Sequence, residues 1–465
     1  MFSKEIRIKR RNDLKLQIES GLLLFLGNTE SPMNYPDNTY HFRQDSTFIY
    51  YFGIQLPNLN AVIDLDEDRT TLFGDEMTID EIVWMGRQQA LSKKAAECGI
   101  TDIQPSNQLQ TRIAEAIKKG RKIHFLPPYR FDNKILLANL LGIPVQSLNE
   151  SASLPMIKAV VAQRSVKSAE EIQEIDQAAC ISADIHQMLM QQAKPGMYER
   201  DLVARIQEKV ISNDGNLAYP AIVTVNGQIL HNHFHGNMLR EGQMILNDSG
   251  FEAPSGYASD LTRTFPVSKT FTPLQKEVYN IVLQAYRDAV ALLKPGQRYL
   301  DVHLTACKTL AQGMKDLGLM HGNVDDAVAA GAHAMFFQCG TGHMMGLDVH
   351  DMEDLGEQYV GYTDVLKKNT TQFGLKSLRL GKELEAGYVL TIEPGIYIIP
   401  ELIDLWAAEK RFSEFINYDK LQSFRNFSGI RIEDNFVVTP EGSRMLGKHL
   451  AITAEEVEQE RSLAF

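Results

Sequence analysis

The order of elements between residues 168 and 320 occurs twice, and that duplication constrains the fold more than any single motif. A helical pattern opens at Ser168-Ala-Glu-Glu171. This is a capping box, in which the serine hydroxyl takes a free amide and the glutamate reaches back. The pattern runs to about Ala193, stops at Lys194-Pro195-Gly196, and a second helical stretch covers 201–212. One hundred residues later a helix from about Pro273 stops at Lys294-Pro295-Gly296, and a further helical stretch covers 301–317. Strands follow each. Lys-Pro-Gly is a common helix terminator, so the weight lies in the matching order. It predicts two related α/β halves with a site between their sheets.

The first 165 residues read as a smaller α/β domain. Strands are expected at 61–65, 70–73 and 122–126, the last stopped by Pro127-Pro128, with one helix over 79–98 and others over 107–119 and 131–141. Phe42-Arg-Gln-Asp-Ser46 reads as a surface turn feeding a strand. The domain shows no catalytic constellation of its own. The boundary falls between 163 and 168, giving domains 1–165 and 166–465, with no low-complexity linker.

Charge and composition exclude several classes. Against 59 acidic residues stand 47 Lys and Arg, a net charge of −12, and no long basic run follows Lys9-Arg10-Arg11. Nucleic-acid binding is not expected. The early apolar run Leu22–Leu26 is too short for a signal core or a membrane span. Cys98, Cys180, Cys307 and Cys339 form no CxxC pair, which fits a reducing compartment and a cytoplasmic protein.

The chemistry starts at 244–265. An apolar segment, Met244-Ile-Leu246, leads to Asp248, and a Gly/Pro/Ser-rich turn leads to Asp260. Asp260, Thr262 and Thr264 then alternate with Leu261, Arg263 and Phe265, a strand's period of two. This predicts a β-hairpin with a carboxylate on each arm. Two close carboxylates repel unless a cation lies between them. Downstream, His343 lies in Gly-Thr-Gly-His, Glu393 ends an apolar strand before Pro-Gly, and Glu433 shares a face with Arg431 in Gly-Ile-Arg-Ile-Glu. Each alone also fits an ion pair or an edge-strand charge. Together, four carboxylates and an imidazole suit two hard or borderline divalent ions, held about 3.5–4 Å apart in dinuclear hydrolases.

Taken together, Leu230-His231, Asp248-Ser-Gly, the stretch Tyr257 to Phe265, Gly342-His343, Gly346-Leu-Asp-Val-His350-Asp351, Leu390-Thr-Ile-Glu-Pro-Gly-Ile-Tyr397 and Gly429-Ile-Arg-Ile-Glu-Asp434 resemble the proline-specific branch of the pita-bread metallopeptidases. That branch holds aminopeptidase P and prolidase. The similarity covers about 165–455, and Phe42 to Ser46, Tyr51-Phe-Gly53 and Trp84-Met-Gly86 resemble the family's amino-terminal domain. The resemblance implies a pita-bread catalytic domain of two pseudo-symmetric halves. It also implies two divalent ions, manganese first with cobalt or zinc as alternatives, and a homodimer. Asp248, Asp260, His343, Glu393 and Glu433 would be the ligands, with Asp260 and Glu433 bridging. Glu393 would also shuttle a proton during hydrolysis of the bond before proline. His231 and His350 would contact substrate, and Arg431 would serve the ligands or the substrate. His233 and His235 would share a face with His231 if the segment were a strand, but are not expected to be ligands. His186, His303, His321 and His333 are expected to be packing or surface residues on helices, and His449 carries no signal.

One departure stands out. Gln338-Cys339-Gly340 replaces the family's Pro-His-Gly, placing a thiol, a candidate for oxidation, where a histidine lines the site. Two features favour prolidase, which takes Xaa-Pro dipeptides. The insert over 399–428 is prolidase-like, and Arg379 matches an arginine that binds the substrate's terminal carboxylate, a task suited to a bidentate guanidinium. Xaa-Pro aminopeptidase is the alternative, and a non-catalytic pita-bread binding protein a more distant one.

Overall fold

The computed structural model describes residues 2–465, which form two compact α/β units. The first runs to Arg164 and includes Met352–Tyr359, and the second comprises Ser165–Asp351 and Val360–Phe465.

In the first unit, β1 (Leu22–Leu26), β2 (Asn60–Asp64), β3 (Arg69–Phe73), β4 (Asp102–Gln104) and β5 (Ile123–His124) form one sheet in the order β4-β3-β2-β1-β5. Leu24 pairs with Val62 and Val62 with Thr71 in the antiparallel centre, while β4 and β5 join in parallel. Leu22, Leu24, Val62 and Phe73 of the sheet pack with Ile113, Leu137 and Leu148 from helices into one core. Full burial of each such side chain contributes roughly 1.5–3 kcal/mol.

Two expectations fail here. The polar stretch at 42–46 does not feed a strand. Asp45 caps a helix, α1 (Ser46–Phe52), by accepting from the Phe48 amide at 2.8 Å, and Gly53 ends it at φ 67°. All seven helical residues are buried. An apolar run this short cannot be told from a strand by periodicity; the cap and the glycine decide it. The expected helix over 79–98 is two, α2 (Ile79–Met85) and α3 (Leu91–Glu97), separated at Gly86, whose φ of 74° no continuing helix can hold.

The second unit repeats its elements. In the first half, α4 (Ala169–Gln192) and α5 (Glu199–Ser212) precede a three-stranded antiparallel sheet, ordered β10-β8-β7, of β7 (Ile222–Thr224), β8 (Met244–Asp248) and β10 (Thr262–Pro266). A two-stranded pair, β6 (Asn216–Leu217) with β9 (Phe251–Glu252), lies beside it in the sequence. In the second half, α6 (Pro273–Val290) and α7 (Tyr299–Asp316) precede β11 (Val389–Ile392), β14 (Asp434–Val438) and β15 (Ser443–Met445), ordered β11-β14-β15. There β12 (Gly395–Tyr397) pairs with β13 (Gly429–Arg431), so the insert is the connection of this strand pair and contains a helix, Pro400–Ala408.

The echo reaches individual bonds. Gly196 has φ 90° and its amide donates to the Leu239 carbonyl at 2.9 Å; Gly296 has φ 80° and donates to the Leu384 carbonyl at 2.8 Å. Single β-bridges follow at Tyr198–Met238 and Arg298–Glu383. Helices α6 and α7 approach so closely that a Cβ on Gly313 would lie 2.3 Å from Ile281. Among the described residues no helix is long and apolar enough to cross a membrane.

Candidate active site

The two halves meet along a seam of residues 260–263 against 431–435. Thr262 and Glu433 exchange backbone hydrogen bonds, with Glu433 N donating at 3.0 Å and Thr262 N at 3.4 Å. The Asp260 amide donates to Asn435 Oδ1 at 3.0 Å, and Asn435 Nδ2 donates to the Asp260 carbonyl at 2.5 Å. Arg263 crosses to Asp434 at 2.9 and 3.1 Å. Alternation explains this division. Thr262 and Thr264 face one way, toward Glu433 and the Arg431 carbonyl. Arg263 faces the other way, into a buried ion pair.

A cavity of about 430 Å³ opens on one side of the seam. It is lined by Asp248, Asp260, His343, Glu393 and Glu433, and also by His231, His350, Arg379, Arg431 and Cys339. All nine positions singled out for ligand, catalytic or substrate roles thus line one cavity, together with Cys339. His233 lines it as well, whereas His235 turns its Nε2 to the Ala221 carbonyl at 3.1 Å. Residues 229–237 are not a strand, so the three histidines share no common face.

Asp248 ends β8, directly opposite Thr262, and Asp260 lies two positions before β10 begins, so the hairpin brings the carboxylates together. The Tyr219 hydroxyl oxygen lies 2.6 Å from Asp248 Oδ1 and 2.5 Å from Asp260 Oδ1. One hydroxyl has a single proton to donate, so a second proton or a cation must occupy the Asp248–Tyr219–Asp260 group. His343 Nε2 lies 3.4 Å from Asp260 Oδ2 and 3.5 Å from Glu393 Oε1, while its Nδ1 meets the Met344 carbonyl at 3.0 Å, which turns Nε2 toward the carboxylates. The His350 ring lies 4.3 Å from the His343 ring. Thr262 Oγ1 donates to Glu433 Oε2 at 2.6 Å.

Arg431 commits its guanidinium to the protein. Nη2 pairs with Asp248, Nη1 donates to the Tyr397 hydroxyl at 2.8 Å, and Nε donates to Thr262 Oγ1 at 3.1 Å. Tyr219 was not foreseen; Ala-Tyr-Pro carries no ionisable pattern. Thr262 was foreseen only as sharing the Asp260 face.

The carboxyls of Asp260, Glu393 and Glu433 are all held above the usual carboxylate range, by burial first. The Asp248 charge adds to the shift at Asp260, and the Asp260 charge adds to it at Glu433 and, against the pull of His343 and Arg431, at Glu393. Burial pushes the His231 imidazole down, against the pull of Asp248. At 4 Å two like charges repel by about 4 kcal/mol even at an effective dielectric of about 20, so this set ionises fully only beside cations. Donor atoms of Asp260, His343 and Glu433 lie within 4.8 Å of one another, and Glu393 meets the same imidazole. An oxygen-rich set with one imidazole fits divalent ions. The Cys339 thiol is pushed up to about 12, first by burial and then by Glu393. Few thiolates form at such a pKa, which opposes the oxidation sensitivity expected from the sequence.

Residues 173–440, more than half of the chain, match the model of metallopeptidase family M24. The chain belongs to that family. It is an enzyme of the metallopeptidase class, and family membership implies divalent metal ions. Residues 8–124 match the aminopeptidase P, N-terminal domain. The M24 chain is 31% identical to the human Xaa-Pro dipeptidase over 95% of its own length and 89% of the relative's. It is 29% identical to the Escherichia coli Xaa-Pro aminopeptidase, over 97% and 96%. Among solved structures, Escherichia coli aminopeptidase P superposes with a TM-score of 0.81 at 27% identity, covering 100% of this chain and 99% of that one. An aminopeptidase from Pseudomonas aeruginosa gives 0.81 at 26%, with the same coverage.

Proposed function

We propose that the enzyme hydrolyses the peptide bond preceding proline, with Xaa-Pro dipeptides as its preferred substrates. The observation that carries this is the gathering of four carboxylates and one imidazole in a single buried cavity, in a chain related nearly end to end to Xaa-Pro peptidases. Asp248, Asp260, His343, Glu393 and Glu433 would hold two ions. Manganese is proposed, with cobalt and zinc as alternatives, because oxygen donors dominate. When bound, such ions activate water and polarise the scissile carbonyl.

The remaining roles belong to the chain. Glu393, its carboxyl raised by burial, can hold and return a proton near neutral pH. His231, kept neutral by burial, and His350 lie on the cavity wall, where each can donate to the carbonyl oxygen as it gains charge. Arg431 orients Asp248 and Tyr397, a positioning role. Pro220, Ile222, Leu230 and Val349 give the wall apolar surface for a proline ring. The domains proposed are an amino-terminal domain to about residue 165 and a catalytic domain beyond. Four free thiols support a cytoplasmic setting, and the family resemblance supports a homodimer.

Arg379 favours the dipeptidase. It lines the cavity, where a guanidinium can take the terminal carboxylate of a dipeptide. The end-to-end likeness to aminopeptidase P favours a second reading, in which the peptide continues past proline. The test compares Xaa-Pro with Xaa-Pro-Yaa on manganese-loaded protein. Loss of the carboxylate contact in Arg379→Ala removes about 1.5–3 kcal/mol, so kcat/KM for the dipeptide should fall roughly 10–100-fold and tripeptide cleavage should not. Tripeptide cleavage as fast as the dipeptide's, indifferent to Arg379, would make the enzyme an Xaa-Pro aminopeptidase.

A further inference from the structure

A second group of metal-capable side chains lies apart from the carboxylate cavity. His303 and Cys307 are four residues apart on α7 and so share one face. His333 comes from a short 3-10 turn, Ala332–Met335. One donor atom from each lies within 4.8 Å of the other two, and all three side chains are buried. None of the three lines the catalytic cavity.

The group is built like a ligand set. His303 Nδ1 meets Thr341 Oγ1 at 2.9 Å, which fixes the ring and leaves Nε2 facing the Cys307 sulfur at 3.4 Å. Such an outer partner is the usual companion of a metal-binding imidazole. Burial holds His303 and His333 well below the usual imidazole range, at about 3 and about 4, so both keep the neutral form that binds metals.

A purely structural reading accounts for part of this. The Cys307 thiol can donate to His303 Nε2, and that pair is then satisfied without an ion. His333 is not. It is 2% exposed, and neither ring nitrogen makes a hydrogen bond. The Val328 carbonyl is near enough to influence the ring but outside hydrogen-bond geometry. A buried imidazole left with both nitrogens unpaired is costly, and one of its nitrogens lies within 4.8 Å of ligand atoms of both His303 and Cys307.

We propose that His303, Cys307 and His333 form a second, soft-donor site for one closed-shell ion, Cu(I) or Zn(II). Two imidazoles and a thiolate suit those ions and not the harder ions of an oxygen-rich centre. On binding, the Cys307 S–H bond breaks, the proton leaves to solvent and a sulfur–metal bond forms, with no change of oxidation state. One thiolate balances Cu(I) fully and leaves Zn(II) with one positive charge; burial favours the balanced centre. The ion would tie α7 to the turn at 332–335. Through Thr341, whose carbonyl accepts from the Glu393 amide at 2.8 Å, it would also brace the strand end behind the carboxylates.

The test uses full-length protein carrying Asp260→Asn, which disables the carboxylate centre, stripped with a chelator under reducing conditions. It is titrated with Cu(I) against bathocuproine disulfonate, and separately with Zn(II) against a chromophoric chelator. The expected result is one tightly held equivalent in at least one arm, the arm reporting which charge the site accepts. Affinity should fall at least about 10-fold in both Cys307→Ser and His333→Gln. X-ray absorption should show one sulfur at about 2.3 Å and two nitrogens at about 2.0–2.1 Å. His333→Gln keeps the volume and decides the matter should Cys307→Ser fail to fold. Retention of neither ion, or equal retention by the parent and His333→Gln, would overturn the proposal. None of these outcomes depends on the Xaa-Pro reading.

Discussion

The two halves of the catalytic unit share a frame and differ in what they hang on it. Both run helix, Lys-Pro-Gly, helix, antiparallel sheet, and both use the positive-φ glycine and the single β-bridge after it. The first half then makes a short connection between β8 and β10, places an aspartate near each end of it, and ties the two through Tyr219. The second half offers longer glutamates at 393 and 433, adds His343, and opens the β12–β13 connection into a thirty-residue insert. What is duplicated is backbone support. Chemistry and specificity are not, and the seam at 260–263 and 431–435 is where the unlike contributions are held in register.

Separating chemistry from seam gives the largest effects. Asp260→Asn should abolish peptidase activity, well beyond the roughly 10–100-fold that loss of an outer partner costs, with the fold intact by circular dichroism. Asp434→Asn should do the reverse. It leaves Arg263, 1% exposed, without its countercharge, and breaking such a buried pair costs about 3–5 kcal/mol, measured as a lower urea midpoint. Equal destabilisation by both substitutions would dissolve the distinction between ligand and seam.

Tyr219→Phe probes the first half alone. The carboxylates stay and lose only the hydroxyl between them. Metal affinity should weaken by roughly 10–100-fold, read by titration with manganese. An unchanged affinity would show that the hairpin backbone, and not Tyr219, sets the spacing of Asp248 and Asp260.

Metal removal gives a smaller effect with a definite sign. Asp260 and Glu393 are raised to about 7, against unfolded values of about 3.9 and 4.3. The stripped folded protein therefore binds more protons than the unfolded chain between those limits, and its stability from these groups falls as pH rises from about 4 to about 7. Bound ions replace the protons, so the loaded protein should lack that loss. Its ion affinity should instead weaken as pH falls through about 7. Thermal melts of chelated and loaded protein at pH 5 and pH 8 check the difference; a difference independent of pH would contradict it.

Much of the site was legible because ionisable residues stand out in apolar strands. Asp248, Asp260, Glu393 and Glu433 each interrupt a hydrophobic pattern, and period-two alternation placed Thr262 with Asp260 and Arg263 on the opposite face. Tyr219 was invisible because a tyrosine beside a proline is ordinary, and its role exists only once the hairpin brings two aspartates to its hydroxyl. In the first unit, Ser46–Phe52 misled because five consecutive apolar and aromatic residues, Phe48 to Phe52, fit strand and helix alike. The helix over 79–98 was drawn through Gly86 because spacing continues across a break that a single positive φ creates. His303 and His333 were expected to be packing or surface residues, and both are buried. Their sequence separation hides that the fold brings one donor atom from each close to Cys307.

The smallest effect tests the shared frame directly. Gly196 and Gly296 hold φ of 90° and 80°, and nothing lies within 4 Å of where a Cβ would stand on either. Crowding therefore plays no part in alanine substitution at these sites; only the left-handed backbone does, at roughly 1–2 kcal/mol per residue. Gly196→Ala and Gly296→Ala should lower the urea midpoint by similar amounts, and the double variant by about their sum, since separate sites add. Gly296→Ala should leave KM for Xaa-Pro unchanged even though its half carries Arg379 and the insert, because the turn supports α7 and touches no substrate-facing residue. Unequal costs would mean that the two Lys-Pro-Gly turns share a sequence without sharing a structural task, and the duplication would then be one of element order alone.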